Sequence, residues 1–337
     1  MEFYVGRRRF SGETAAASRG SAHIFLHFFS FLWKSAPCLL PNEGKAATIT
    51  MASNGFCRRL IPVFLEGCVV YLTDYHTHSL CSPDSTTPLS DIVAAARRAG
   101  LRELCTTDHC DLQREDGSPL TQWDWEPILS QYHQAAAQQR SDFRLLLGLE
   151  LGGAHTDPAL AQTILEGAPL DFVIGSVHNL SPAAGGRDLF CLDLSDLDNC
   201  WRTMDDYFDS LLALAPLPVY DALGHIIYPL RYINGRAGHN LTLDRYNDQL
   251  DKILRTVIQT GRAIEVNTHG GREVEEWRPI LERYRVLGGE LVTTGSDAHR
   301  PYAVGKGLRQ VHSLLWDTGF RWLTLYRGRK PTQIKLR

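Results

Sequence analysis

With 337 residues and 44% hydrophobic composition, the chain carries enough apolar material for one large domain or two, and most of it is excluded from the disordered class. Its formal net charge of -3, from 35 Lys+Arg against 38 Asp+Glu, gives no global positive field to gather nucleic acid or an anionic membrane, so neither is expected as a partner. The eight cysteines contain no CxxC pair in a chain far larger than a disulfide-stapled scaffold, which predicts reduced thiols and a cytoplasmic location.

Residues 1–68 mix an Arg-rich start, a Ser/Ala/Gly stretch, an aromatic patch and a second polar stretch without sustained periodicity, and are expected to form an irregular, disordered extension. The apolar run AHIFLHFFSFLW at 22–33 falls short of the roughly 20 residues a membrane-spanning helix needs. Lys34 follows at once and no good small-residue cleavage pattern follows it, so secretion is not expected.

From residue 69 to 337 the chain alternates regularly and is expected to form one domain. Strands are predicted near 69–76, 102–107, 144–149, 171–177, 219–224, 262–267 and 290–295, separated by helical stretches. The helices carry their own signals: PLSDIVAAARRAG has Pro88 near its start and Gly100 at its stop, and two later helical stretches end at Gly261 and Gly288. Seven strand–helix units in series predict an α/β fold with a parallel sheet, and closure into a TIM-like (β/α)7 barrel would put every strand end on one rim. The competing open doubly wound sheet has no GxGxxG turn to support it.

That rim is where the chemistry-bearing residues fall. His76 and His78 close the first strand-like run, His109 the second, Glu150 the third, His178 the fourth and His225 the fifth; Asp297 and His299 close the last, and Asp84 follows His78 by six residues. Imidazoles and carboxylates are costly to bury unless paired or metal-bound, so their recurrence at strand ends points to a multinuclear metal site with mixed nitrogen and oxygen donors. An HxH pair alone is a weak signal, but joined to TTDH at 106–109 and GSDAH at 295–299 it is a strong one. His23, His27, His133, His155, His239 and His312 lie outside this pattern and are expected to be surface or packing residues, as Cys81, Cys105 and Cys110 are expected to be small buried hydrophobes.

In order along the chain, DYHTHSLCSPDS, CTTDHCD, LGLELG, FVIGSVHNL, ALGHIIYPLRY, IEVNTHGGRE and TTGSDAH resemble the polymerase and histidinol phosphatase (PHP) superfamily, and within it the monofunctional histidinol-phosphatase branch. The resemblance covers about residues 71–330. It implies a distorted (β/α)7 barrel with three divalent metal ions, zinc first and iron or manganese as alternatives. The implied ligands are His76, His78, Asp84, His109, Glu150, His178, His225, Asp297 and His299, with Glu150 and Asp297 as bridging or shared carboxylates and Asp297 and His299 as candidates for proton handling.

The same resemblance implies hydrolysis of L-histidinol phosphate to L-histidinol and phosphate in histidine biosynthesis, with a small phosphorylated substrate as partner and the oligomeric state left open. Another phosphoester substrate, including 3′ to 5′ exonuclease action, and an inactive metal-binding scaffold are the alternatives. Phosphate favours guanidinium, and Arg231, Arg187 and Arg272 all lie just beyond strand ends, Arg231 six residues after His225 being the first choice. The long loop after His109, with Glu115, Asp116, Trp123, Asp124 and Trp125, would suit a cationic amino-alcohol. His269 in NTHGG departs from the small residue usual in the family and bears on pocket shape or specificity.

Overall fold

The computed structural model describes residues 70–137 and 141–337. The extension expected over 1–68, with its aromatic stretch, His23 and His27, lies outside them. Eight strands pair in parallel: β1 (Thr73–Asp74), β2 (Glu103–Thr106), β3 (His109–Asp111), β4 (Arg144–Gly152), β5 (Phe172–Ser176), β6 (Ala222–Leu223), β7 (Ala263–Asn267) and β8 (Val292–Gly295). Seven run side by side in the order β1-β2-β4-β5-β6-β7-β8, and β3 adds beside β4. The ring closes between β8 and β1, where Tyr75 N donates to Thr294 O at 2.9 Å, Asp297 N to His76 O at 2.8 Å and His78 N to Ala298 O at 3.0 Å. The molecule is therefore the (β/α)7 barrel that the alternation predicts.

The helices are α1 (Leu89–Arg98), α2 (Glu126–Ala136), α3 (Pro158–Leu165), α4 (Leu197–Leu214), a single turn α5 (Tyr228–Leu230), α6 (Asn247–Gln259), α7 (Arg278–Val286) and α8 (Leu308–Asp317). In α1 the buried positions Leu89, Ile92, Val93 and Ala96 recur at helical spacing and turn one stripe to the sheet, while Asp91 and Arg97 serve the two helix ends. Burial of each Leu or Ile side chain contributes about 1.5–3 kcal/mol, so the stripe outweighs propensity in fixing the helix. Gly100 stops α1 at φ 75°, a left-handed conformation that glycine adopts without a Cβ penalty. Among the described residues no helix is long and apolar enough to cross a membrane.

Three features differ from the sequence expectation. First, β4 does not stop at residue 149; it continues to Gly152 because β3 pairs with it, setting His109 opposite Glu150. Second, β1 is two residues long instead of eight, its continuation past Tyr75 being tied to β8 by single bonds and the Thr77–Ala298 bridge. Third, an antiparallel hairpin, β9 (Trp322–Arg327) and β10 (Lys330–Lys335), follows the barrel. Its two-residue turn, Gly328 and Arg329, has both φ values positive, as a type I′ hairpin demands. The turn is tied to the opposite end of the barrel from the predicted ligands: Gly328 N donates to Asp171 Oδ1 at 3.0 Å, Arg329 pairs with Asp221, and Arg327 pairs with Glu103, each acceptor standing at the start of a barrel strand or just before one.

His312 sits on the buried face of α8 with Leu308, Val311 and Leu315, and neither ring nitrogen has a hydrogen-bond partner. Burial, helped by Arg309, pushes its pKa down to about 4. A folded value below the unfolded one of about 6.5 means that the unfolded chain binds the proton first, so stability is full above pH 6.5 and is lost as pH falls towards 4. The window is on the order of 3 kcal/mol. His312→Leu is expected to flatten the pH dependence of urea unfolding between pH 6.5 and 4 by that amount relative to the wild type, and parallel curves for the two proteins would contradict it.

Candidate metal centre

Strand ends bring the predicted ligands to one place. His76 and His78 leave β1, His109 lies in β3 and Glu150 in β4, His178 follows β5 by two residues, His225 follows β6 by two, and Asp297 follows β8 by two. At their centre is Glu150, fully buried. Its Oε2 lies 3.0 Å from His76 Nε2, 3.1 Å from His109 Nδ1 and 3.4 Å from His78 Nε2; its Oε1 lies 2.8 Å from His225 Nε2 and 3.1 Å from His178 Nε2. Asp297 makes a second focus, with Oδ1 3.3 Å from His78 Nε2 and 3.5 Å from His76 Nε2. Asp84, half-exposed at the mouth, sits 2.8 Å from His299 Nε2. All nine residues thus form one connected cluster.

The cluster has the character of a cation site. The Nε2 atoms of His78 and His299 and Nδ1 of His109 are buried and lie close to carboxylate oxygens, yet none is in hydrogen-bond geometry with a partner. Lone pairs that converge in this way, with hard oxygen donors among them, fit a divalent metal better than a hydrogen-bonded network. Four groups offer three donor atoms within 4.8 Å of one another: His76, Glu150 and His225; His76, His78 and Asp297; His78, His109 and His299; and His109, Asp111 and His178.

The charges within the cluster are strongly coupled. Burial disfavours the charge of Glu150, but His76, His109 and His178 around it outweigh that and hold its carboxyl well below the usual range. Asp297 is likewise held well below, against its burial, by His76 and Arg231. Burial opposes charge on His76 too, yet Glu150, Glu265 and Asp297 raise it well above an ordinary imidazole, whereas His78, crowded by His299 and His109, is pushed well down by burial and those neighbours.

Sequence reasoning missed the groups that aim these ligands. Glu265, buried in mid-β7, lies 2.6 Å from His76 Nδ1 and accepts from His225 N at 3.0 Å. Asp111 lies 2.7 Å from His178 Nδ1, and Ser82, itself donating to Asp108, lies 3.0 Å from His78 Nδ1. Each partner occupies Nδ1 and leaves Nε2 for the centre, the outer arrangement that fixes tautomer and ring direction in metal sites. The available signals were a carboxylate inside the apolar run AIEVN and the two aspartates flanking the histidine in TDHCD. Gly152 beside Asp111 is required for space, since a Cβ there would meet Asp111 Oδ1 at 1.8 Å.

The three arginines separate. Arg231 is buried and its guanidinium is gripped on three sides, Nε donating to Glu273 at 2.8 Å, Nη1 to Asp297 at 2.7 Å and Nη2 to Asn267 at 2.8 Å. Arg272 is exposed and lines a cavity of about 1130 Å³ that Arg231 also borders. Arg187 is exposed, turns Nη2 towards Cys191 O at 3.4 Å and lines no part of that cavity. The loop after His109 also falls elsewhere: Trp125 donates to Ile164 O at 3.0 Å, Trp123 packs edge-on against it, and Glu115, Asp116 and Asp124 are exposed. None of those five lines the cavity, whose acidic residues are Asp244, Glu273 and Glu276.

The PHP domain model matches residues 74–269, more than half of the chain. The chain belongs to the PHP domain family. Among curated relatives, the histidinol-phosphatase of Lactococcus lactis is 25% identical over 272 residues, covering 78% of this chain and 97% of that one. A protein of Clostridium acetobutylicum named "Probable histidinol-phosphatase" is 29% identical over 242 residues, covering 71% and 90%. The crystal structure of histidinol phosphate phosphatase from Lactococcus lactis, in complex with zinc, L-histidinol and phosphate, superposes with a TM-score of 0.65 at 24% identity, covering 77% of this chain and 98% of that one. Within this PHP domain the match runs from the residue after β1 begins to His269, and Asp297 and His299 lie beyond it.

Glu265→Gln keeps the size of the side chain but removes the charge that holds His76. It is expected to weaken zinc binding by about 10- to 100-fold, the usual cost of losing an outer partner of a ligand, with little change in the circular dichroism of the fold. Competition with a chromogenic chelator measures this, and an unchanged zinc affinity would remove Glu265 from the site.

Proposed function

We propose that this protein is a cytoplasmic, metal-dependent phosphomonoesterase that hydrolyses L-histidinol phosphate to L-histidinol and phosphate. The observation that carries the reading is the convergence of six imidazoles and three carboxylates on one rim, in a chain whose curated relatives bear the histidinol-phosphatase name over nearly their whole length. His76, His78, Asp84, His109, Glu150, His178, His225, Asp297 and His299 would hold three divalent ions, zinc first, as in the zinc complex of the Lactococcus lactis enzyme. Such ions supply neutralisation of phosphate charge and a lowered pKa for water.

The chain's own groups supply the rest. Arg231 has five N–H groups and uses three on Glu273, Asp297 and Asn267, so its remaining two are pre-aimed and can bind a phosphate oxygen without first ordering a flexible side chain. Its role is therefore double, since the same guanidinium orients Asp297. Arg272, which borders the same cavity as Arg231, is the second phosphate contact proposed, and Arg187 lines no part of that cavity. Asp297 is locked as an acceptor and is unsuited to give a proton. That task falls to the mouth, where His299 and Asp84 lie 2.8 Å apart. The catalytic domain begins at about residue 69.

Incubating metal-replete protein with L-histidinol phosphate, nucleoside monophosphates and a single-stranded oligonucleotide tests the reading. The highest kcat/KM is expected on L-histidinol phosphate, with phosphate released in equal amount to L-histidinol. Trimming of the oligonucleotide in preference to the monoesters would contradict it.

A further inference from the structure

His269 stands out on three counts. Its backbone is left-handed at φ 46°, a conformation that costs a non-glycine residue energy and that persists where the surroundings hold it. They do so here: His269 N donates to Asn267 Oδ1 at 2.8 Å, and the next residue, Gly270, donates its N–H to Ser296 O at 2.8 Å. Second, Nδ1 lies 3.1 Å from Glu273 Oε1, while Glu273 Oε2 accepts from Arg231. Third, the ring borders the cavity of about 1130 Å³ together with Arg231, Arg272 and Glu273.

These contacts fix what the ring offers. Burial works against the charge of Glu273, but Arg231 and His269 hold its carboxyl below the usual range, so it only accepts hydrogen bonds. Nδ1 of His269 must therefore carry the hydrogen. In the neutral ring Nε2 is then an acceptor, and among the described residues no protein group bonds to it. The cavity is lined by the carboxylates of Asp244, Glu273 and Glu276 and by the guanidiniums of Arg231, Arg236, Arg272 and Arg283, with Arg236 lying over the rings of Phe190 and Tyr232, so its charges are mixed and the free Nε2 of His269 is the group that singles out a hydrogen-bond donor. Arg231 lines the cavity and its Nη1 holds Asp297 of the cluster.

Resting on the phosphomonoesterase reading above, we propose that His269 is a specificity-determining residue: its Nε2 accepts a hydrogen bond from an N–H of the alcohol half of the substrate, selecting phosphomonoesters whose leaving alcohol carries an ammonium or imidazole group. A site built to pair with an N–H discriminates against an ester lacking one, because the unpaired acceptor loses its water without replacement.

The test uses His269→Asn, which tolerates the left-handed backbone, and His269→Gly, which removes backbone strain altogether. For metal-loaded wild type and both variants, kcat/KM is measured on L-histidinol phosphate and on p-nitrophenyl phosphate, and L-histidinol binding by calorimetry. The ratio of the two specificity constants is expected to fall by about 10-fold or more in both variants, mainly through KM, with L-histidinol affinity falling in step. Equal losses on both esters, or an unchanged ratio, would overturn the proposal. Wild-type protein that hydrolyses p-nitrophenyl phosphate but not L-histidinol phosphate would instead overturn the function proposed above; O-phosphoethanolamine against p-nitrophenyl phosphate then decides the role of His269 by the same ratio.

Discussion

A fully buried carboxylate with five imidazoles around it is the constraint on which the rest of this structure depends. Glu150 has no exposure to solvent, and an isolated ionised carboxylate in such a place is too costly to persist. His76, His109 and His178 hold its charge, and His78 and His225 also direct a ring nitrogen at it, all five within 3.4 Å. Burial opposes charge on every imidazole here: it pushes His78 and His225 down, helped by neighbouring imidazoles, while the carboxylates of Glu150, Glu265 and Asp297 raise His76 and those of Asp111 and Glu150 raise His178. Divalent cations resolve both conflicts at once, replacing shared protons with fixed positive charge.

The fold serves that point from both ends. Closing the ring between β8 and β1 is what brings residues 76 and 78 beside residues 297 and 299, some two hundred positions away in sequence, and the backbone bond from Asp297 N to His76 O is part of the seam. Close packing leaves no slack there: a Cβ on Gly295 would meet His76 Cβ at 2.3 Å and Glu265 Oε1 at 2.4 Å. At the far end, the hairpin ties Asp171, Asp221 and Glu103 with backbone and guanidinium donors, so carboxylates at strand starts are paired as well. Buried carboxylates thus find partners at both ends of the barrel, and Glu265 in mid-β7 finds them in His76 and His225.

Much of this was legible in the sequence, for a physical reason. A parallel barrel strand reads as a short apolar run, and a polar metal donor at its end is conspicuous against that background, so strand positions and the nine clustered residues could both be read locally. What escaped depended on contacts distant in sequence. β3 exists only because residues 109–111 find β4, and β1 is shorter than its apolar run because its edge meets β8 through isolated bonds. The hairpin hid behind RGRK, whose Gly-Arg turn lacks the Asn-Gly or Asp-Gly signature of a two-residue loop. Arg231 was recognisable as a cation near the site, but its anchoring by Asn267, Glu273 and Asp297 draws on two stretches of chain distant from it in sequence.

The central claim is that the cluster is a multinuclear metal centre and not a proton-compensated network. Elemental analysis of the protein purified active and dialysed against metal-free buffer tests it most directly. The account predicts close to three divalent ions per chain, with activity lost on chelation and regained on restoring zinc, iron or manganese. One ion or fewer per chain in fully active protein would contradict it.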